Sequence, residues 1–215
     1  MKYLLVTGGA LEEKFAVDII KNGGYEVIIA VDSGMDFCYK SHIMPDVIVG
    51  DFDSVNGEAL EFFLGQEQMD VHRLNPEKDD TDTEYALRFA ISKGATKITI
   101  LGATGSRLDH VLGNITLLGV GIEKNVSIEL LDPHNKIKMI NSSLSIRKDE
   151  RFGKYLSVIP ISGKAVGVTI TGVKYPLDNY DMSGFNTLGI SNEIVDDVAA
   201  ITVKDGILLV VESKD

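Results

Sequence analysis

Short apolar runs alternate with stretches of helical period between Met1 and about Lys124. Tyr3–Val6, Val27–Val31, Val47–Val49 and Ile98–Leu101 are bounded by glycine or acid and predict buried strands. Between them, Glu12–Lys21, Met35–Ser41, Gly57–Gly65, Thr83–Ser92 and Arg107–Lys124 carry the helical pattern. Strand and helix in alternation give a mostly parallel sheet with helices on both faces. Ligands of such sheets sit beyond the carboxyl ends of the strands.

From Val126 the pattern changes. Ser127–Leu131, Ile137–Ile140, Leu144–Ile146, Tyr155–Pro160, Val166–Thr171, Glu193–Val203 and Gly206–Val211 read as strands separated by turn signals, with no long helical period. That spacing predicts an antiparallel sandwich or barrel. The expected fold is therefore α/β: residues 1–125 form an N-terminal, mostly parallel sheet with flanking helices, and residues 126–215 form a C-terminal antiparallel β domain.

Charge narrows the class of partner. The net charge of -11 and the lack of any Lys/Arg run disfavour nucleic acid and anionic lipid, and leave a small molecule as the expected ligand. No apolar run approaches the roughly 20 residues that span a bilayer, and the start, Met1–Gly9, is too short for a signal-peptide core. The single cysteine, Cys38, excludes an internal disulfide framework and a Cys-rich metal site. A cytoplasmic protein without membrane attachment is expected.

Much of the acid lies in short clusters. Asp51 and Asp53 directly follow the Val47–Val49 run, and in extended chain residues two apart point the same way, so both carboxylates can face one point while Phe52 packs behind. Oxygen ligands so placed suit Mg²⁺, which keeps coordination positions for substrate phosphates. A second cluster, Lys78-Asp79-Asp80-Thr81-Asp82-Thr83-Glu84, leads into the helix at Thr83. Thr81 and Glu84 form a capping box, but capping does not use all of these acids, and a bound cation relieves their repulsion. A third element, Gly102-Ala103-Thr104-Gly105-Ser106-Arg107-Leu108-Asp109-His110, is a glycine loop between strand and helix. Its amides and the helix start make an anion site, to which Arg107 adds a fork matched to phosphate. On the helix, Leu108, Val111, Leu112, Ile115 and Leu118 form an apolar stripe, with Arg107, His110 and Asn114 as a polar stripe beside it. Gly8, Gly9 and the later Asp32 suggest a dinucleotide fingerprint, but the third glycine is missing and Glu12 and Glu13 occupy its region. A Walker A loop is also absent from the sequence.

Taken together, Asp32-Ser33-Gly34, Gly50-Asp51-Phe52-Asp53-Ser54, Lys78-Asp79-x-Thr81-Asp82, Gly102-x-x-Gly105-x-Arg107-x-Asp109-His110 with Asn114, and Ser191-Asn192-Glu193 resemble the motifs of the thiamine pyrophosphokinase family. The resemblance runs through the whole chain. It implies an α/β catalytic domain followed by a β-sandwich that binds thiamine and dimerises, in a homodimer whose sites lie between subunits. It implies Mg²⁺ on Asp51, Asp53 and Asp82. Asp79, Arg107 and Asp109 face ATP, together with Asp32, Gly102, Thr104, Gly105, His110 and Asn114. Ser191 and Asn192, with Tyr175, meet thiamine. Some family members place a tryptophan against the thiamine rings; this chain has none, and Tyr175 occupies the matching region. The implied reaction is attack of the thiamine hydroxyl on the β-phosphorus of ATP, with AMP leaving and Asp79 or another unliganded acid taking the proton. Three rivals share some of these features: a phosphatase with Asp51 as nucleophile, a nucleotide-sugar transferase using the D-x-D pair, and a non-catalytic ATP sensor.

Overall fold

A computed structural model of the chain describes residues 1–77 and 79–215; Lys78, part of the second acidic cluster, lies outside the described residues. The chain divides into two compact units, Met1–Pro133 and His134–Asp215.

The first unit runs β1 (Lys2–Val6), α1 (Glu13–Asn22), β2 (Val27–Val31), α2 (Gly34–Lys40), β3 (Val47–Gly50), α3 (Gly57–Leu64), β4 (Asp70–Arg73), α4 (Asp82–Ser92), β5 (Lys97–Leu101), α5 (Leu108–Lys124) and β6 (Ser127–Leu131). Its strands lie in the order β4-β3-β2-β1-β5-β6, and each neighbouring pair is parallel. Leu4, Leu5, Val6, Ile48 and Val49 are fully buried, which is why the runs of β1 and β3 are unbroken apolar ones; in β5, Thr99 is buried between Ile98 and Ile100 and donates to Glu129 Oε1 at 3.0 Å. Helices cover the sheet through Ala16 and Ile20, Met35 and Cys38, Ala59 and Phe63, and Ala86, Leu87 and Ala90. Burial pushes the Cys38 thiol up to about 12, so it behaves as a small apolar group. The chain moves outward from β1 through β2, β3 and β4, then returns to add β5 and β6 on the other side. Strand order therefore reverses at β1, the place where sheets of this kind take their ligands.

The second unit comprises β7 (Asn135–Ile140), β8 (Ser143–Arg147), β9 (Tyr155–Pro160), β10 (Lys164–Thr171), β11 (Leu177–Ser183), β12 (Asn192–Glu193), β13 (Val198–Thr202) and β14 (Leu208–Ser213). Within it, antiparallel pairing gives the orders β12-β9-β14-β7 and β11-β10-β13-β8. Leu156, Val158, Leu208 and Val210 of one layer pack with Val168, Ile170, Met182, Ala199 and Ile201 of the other. The unit is a β-sandwich, which decides between the two architectures expected from the pattern.

Three features differ from the sequence reading. The strand Ser127–Leu131, expected to open the second domain, is β6 and pairs parallel with β5, and the first compact unit runs on to Pro133. The run Glu193–Val203 is two strands, because Val195 and Asp196 turn aside to donate to the Gly172 carbonyl. On α5, Leu108 and Leu112 of the expected apolar stripe face outward, while Leu118 is buried. Among the described residues, no helix is long and apolar enough to cross a membrane.

Candidate active site

The crevice at the carboxyl ends of the strands of the first unit opens into a cavity of about 700 Å³. Its walls are the loop after β1 (Thr7–Ala10), Asp32 and Ser33 after β2, Asp53 and Ser54 after β3, the start of α4 (Thr81–Thr83), and the loop from Gly102 into α5 as far as Asn114. Of the residues expected on the nucleotide side, Asp32, Gly102, Thr104, Gly105, Arg107, His110 and Asn114 all line it. Asp79 and Asp109 do not; both are exposed, Asp79 on the segment ahead of α4 and Asp109 in a 2.6 Å ion pair with Arg107. That pair holds the Asp109 carboxyl down to about 2, and it presets the Arg107 fork at the cavity's edge.

Carboxylates concentrate at one part of the wall: Asp32, Asp53 and Asp82 line the cavity, and Asp51 lies behind them beside Asp32 and Asp53. Oxygens of Asp32, Asp51 and Asp53 all lie within 4.8 Å of one another. The convergence of Asp51 and Asp53 was expected from extended chain, but the backbone reaches it differently. Phe52, buried between them, is left-handed at φ 69°, and the Asp53 amide donates to Asp51 Oδ1 at 3.1 Å. The turn swings both carboxylates to one side, at the cost of a conformation that side chains other than glycine adopt reluctantly. Asp32 is left-handed as well, at φ 52°, where β2 ends with the Asp32 amide bonded to the Val49 carbonyl at 2.9 Å.

The acidic residue at the start of α4 faces this cluster. Burial, then the negative charge of Asp82 and a shared hydrogen bond with it, and then Asp51 and Asp53, raise the Asp32 carboxyl to about 7. Asp32 Oδ1 is out of solvent and receives no donor among the described residues. Crowded acids of this kind need a proton or a cation between them, and a set of carboxylate oxygens fits a hard divalent ion. The geometry thus adds Asp32 to the acids marked by the sequence. Thr81 caps α4 as expected, accepting from the Glu84 amide at 3.2 Å. The return half of the capping box is missing, because the Glu84 carboxylate pairs with Arg88 at 2.7 Å instead.

The glycine loop forms another part of the wall. Gly102 is left-handed at φ 72°, and a Cβ there would collide with the Thr7 carbonyl. A Cβ on Gly9 would strike the Gly102 and Thr104 carbonyls, so the two loops close on each other only through glycine. Sequence reasoning had set Gly8 and Gly9 aside for want of a complete dinucleotide fingerprint. Their signal was simpler: a glycine pair at the end of a central strand, where backbones must approach.

In the second unit, the residues expected at thiamine occupy one corner. Asn192 is buried, and its side chain is engaged there: Oδ1 accepts from the amides of Tyr175 at 3.0 Å and Glu193 at 2.9 Å, and Nδ2 donates to the Tyr175 carbonyl at 2.8 Å. Tyr175 stands 61% exposed on this mount, with Lys174 Nζ 5.5 Å from its ring centre. Ser191 is left-handed at φ 56°, and its amide donates to Ser157 Oγ at 3.0 Å.

Comparison with known families accounts for both units. The family model described as thiamin pyrophosphokinase, catalytic domain, matches residues 22–130, and that described as thiamin pyrophosphokinase, vitamin B1 binding domain, matches residues 141–208. The chain belongs to the thiamine pyrophosphokinase family. It is 38% identical over 188 residues to thiamine pyrophosphokinase of Bacillus subtilis (strain 168), covering 87% of each chain. The crystal structure of thiamine pyrophosphokinase from Bacillus subtilis superposes over the full length of both chains, with a TM-score of 0.89 and 34% identity. Thiamin pyrophosphokinase from Candida albicans, at 18% identity, shares the fold, with a TM-score of 0.81 over 99% of this chain and 88% of its own.

Proposed function

We propose that this chain transfers a pyrophosphoryl group from ATP to the hydroxyl of thiamine, giving thiamine diphosphate and AMP. The observation that carries this reading is a carboxylate cluster and a glycine loop at one cavity, in a chain of this family. Asp51, Asp53 and Asp82, with Asp32 beside them, would hold Mg²⁺. Bound there, the ion supplies charge neutralisation to the phosphates as the transfer proceeds. The loop amides from Thr104 to Ser106 and the Arg107 fork bind phosphate oxygens from the other side. The thiamine oxygen bonds to the β-phosphorus as the bond from that phosphorus to the oxygen shared with the α-phosphorus breaks. AMP leaves with that oxygen, and the hydroxyl proton passes to a carboxylate outside the metal cluster, for which Asp79 on the open segment before α4 is the candidate. Tyr175 lays its ring against the cationic thiazolium, and Ser191 contacts thiamine beside it.

Incubating the protein with ATP, Mg²⁺ and thiamine yields AMP and thiamine diphosphate in equal amounts. ADP with thiamine monophosphate would move the attack to the γ-phosphorus. Inorganic phosphate released without thiamine would favour the phosphatase reading.

The carboxylate cluster also sets a pH dependence for the metal-free protein. The folded-state value of Asp32 lies above its ordinary 3.8, so the group's contribution to stability is fully present below that pH and is lost as pH rises through about 7. Mg²⁺ competes with the proton and removes the repulsion. The ion is therefore expected to raise the melting temperature more at pH 8 than at pH 5. An equal shift at both values, measured by differential scanning fluorimetry, would place the ion elsewhere.

A homodimer with sites between subunits is part of the same proposal. Supporting it, Leu108 and Leu112, one turn apart on α5 beside the cavity, are 72% and 62% exposed, and exposed leucines on one helix face mark a contact surface.

A further inference from the structure

The glycine loop holds its peptide groups in a regular order. The Leu101 carbonyl accepts from both the Thr7 amide at 2.9 Å and Thr7 Oγ1 at 3.0 Å. The Gly102 carbonyl accepts from the Gly9 amide at 2.8 Å, and the Thr104 carbonyl from the Ala10 amide at 2.6 Å. Between these, the Ala103 carbonyl accepts from Asn114 Nδ2 at 2.8 Å. Four successive carbonyls are thus drawn off the loop. The amides of Thr104, Gly105 and Ser106 make no hydrogen bond among the described residues, and all three residues line the cavity.

A trans peptide is planar, with its C=O and N–H antiparallel, and no peptide here is cis. Holding one carbonyl therefore aims the amide of the next residue the opposite way. Ala10 aims Gly105 by this rule, and Asn114 aims Thr104. Among the latches on residues 102–104, Asn114 supplies the side-chain donor; the others are backbone.

We infer that Asn114 is a positioning residue for phosphate binding. It acts through the Ala103 carbonyl to turn the Thr104 amide into the cavity, and it does not contact the nucleotide itself. This rests on the reading of the cavity as the ATP site, and it differs from the sequence expectation, in which Asn114 faces ATP directly. Its side-chain amide is already committed to the loop, which is what separates it from Arg107 and His110 on the same helix face.

The test compares wild type with Asn114→Leu, which fills similar space but cannot donate, and Asn114→Gln, which keeps the donor. Inorganic pyrophosphate and AMP are each titrated calorimetrically in Mg²⁺, and the KM values for ATP and thiamine are measured. In the leucine variant, pyrophosphate affinity is expected to fall and KM for ATP to rise, each roughly tenfold, as small displacements of preset donors do. AMP affinity and KM for thiamine stay within about twofold, and the glutamine variant recovers part of the loss. Unchanged pyrophosphate affinity with a lower melting temperature makes Asn114 a merely structural residue and overturns the inference. So does a glutamine variant no better than leucine, or an AMP affinity that falls as far as that of pyrophosphate. If leucine prevents folding, Asn114→Ala takes its place with the same expectations. Wild type that makes no AMP from ATP and thiamine sinks the proposed activity, while the pyrophosphate titration still decides the role of Asn114.

Discussion

Asp53→Asn turns over at least about a hundredfold more slowly than wild type while melting at a similar temperature. The amide keeps the shape of the carboxylate but loses a charged ligand for a hard cation, and removal of one electrostatic stabiliser from a transfer site has effects of this order. The fold survives because the turn at Asp53 is built from its backbone amide and the Asp51 side chain, both untouched by the change. AMP formation at limiting Mg²⁺ is the sensitive measurement, since weaker ion binding is then fully expressed. A variant close to wild type under that condition would leave Asp53 as an ordinary turn residue and move the metal to Asp32, Asp51 and Asp82 alone.

Two inactive variants are expected to rebuild an active dimer. The proposed phosphate elements all lie before Pro133, and the proposed thiamine elements, Tyr175 and Ser191 with the Asn192 mount, lie in the second unit. Asn192→Ala removes the bonds that fix the backbone of Tyr175 and leaves buried amides unsatisfied, so thiamine use is lost through the mount. When a twofold dimer forms each site from the first unit of one chain and the second unit of the other, a heterodimer of Asp53→Asn with Asn192→Ala holds one site with both defects and one with neither. Each parent alone is dead, yet the mixed dimer recovers up to about half of the wild-type activity by that symmetry. Co-expression with two different tags and sequential purification isolates it. Heterodimers of verified mass that stay as inactive as their parents show that the site is completed within one chain.

The parallel sheet was legible in the sequence because its central strands are buried and so leave short, largely apolar runs. Each predicted helix also had a glycine or an acid to mark its start. What escaped was the edges. β4, with the sequence Asp70-Val71-His72-Arg73, is almost wholly exposed, and β11, from Leu177 to Ser183, buries only Met182. Polar edge strands resist pairing with other chains, and for the same reason they carry no hydrophobic signature. In the site, residue types announced the chemistry, but contacts between distant loops were silent. Asp32 joins Asp51 and Asp53 because two residues accept left-handed backbone, and no spacing rule reports that. The mount was hidden likewise: an asparagine in a motif suggests a ligand, and no spacing rule reports that Asn192 also grips main chain.

That grip has an evolutionary side. Asn192 takes hold of position 175 by its peptide nitrogen and oxygen, groups that every residue other than proline supplies. The socket is therefore blind to whichever aromatic it carries. Exchange of one ring for another at position 175 leaves its foundation standing, so the proposed thiamine contact can vary without a matching search for stabilising changes elsewhere. A chain built on such a socket can vary its proposed recognition group and keep the scaffold that presents it.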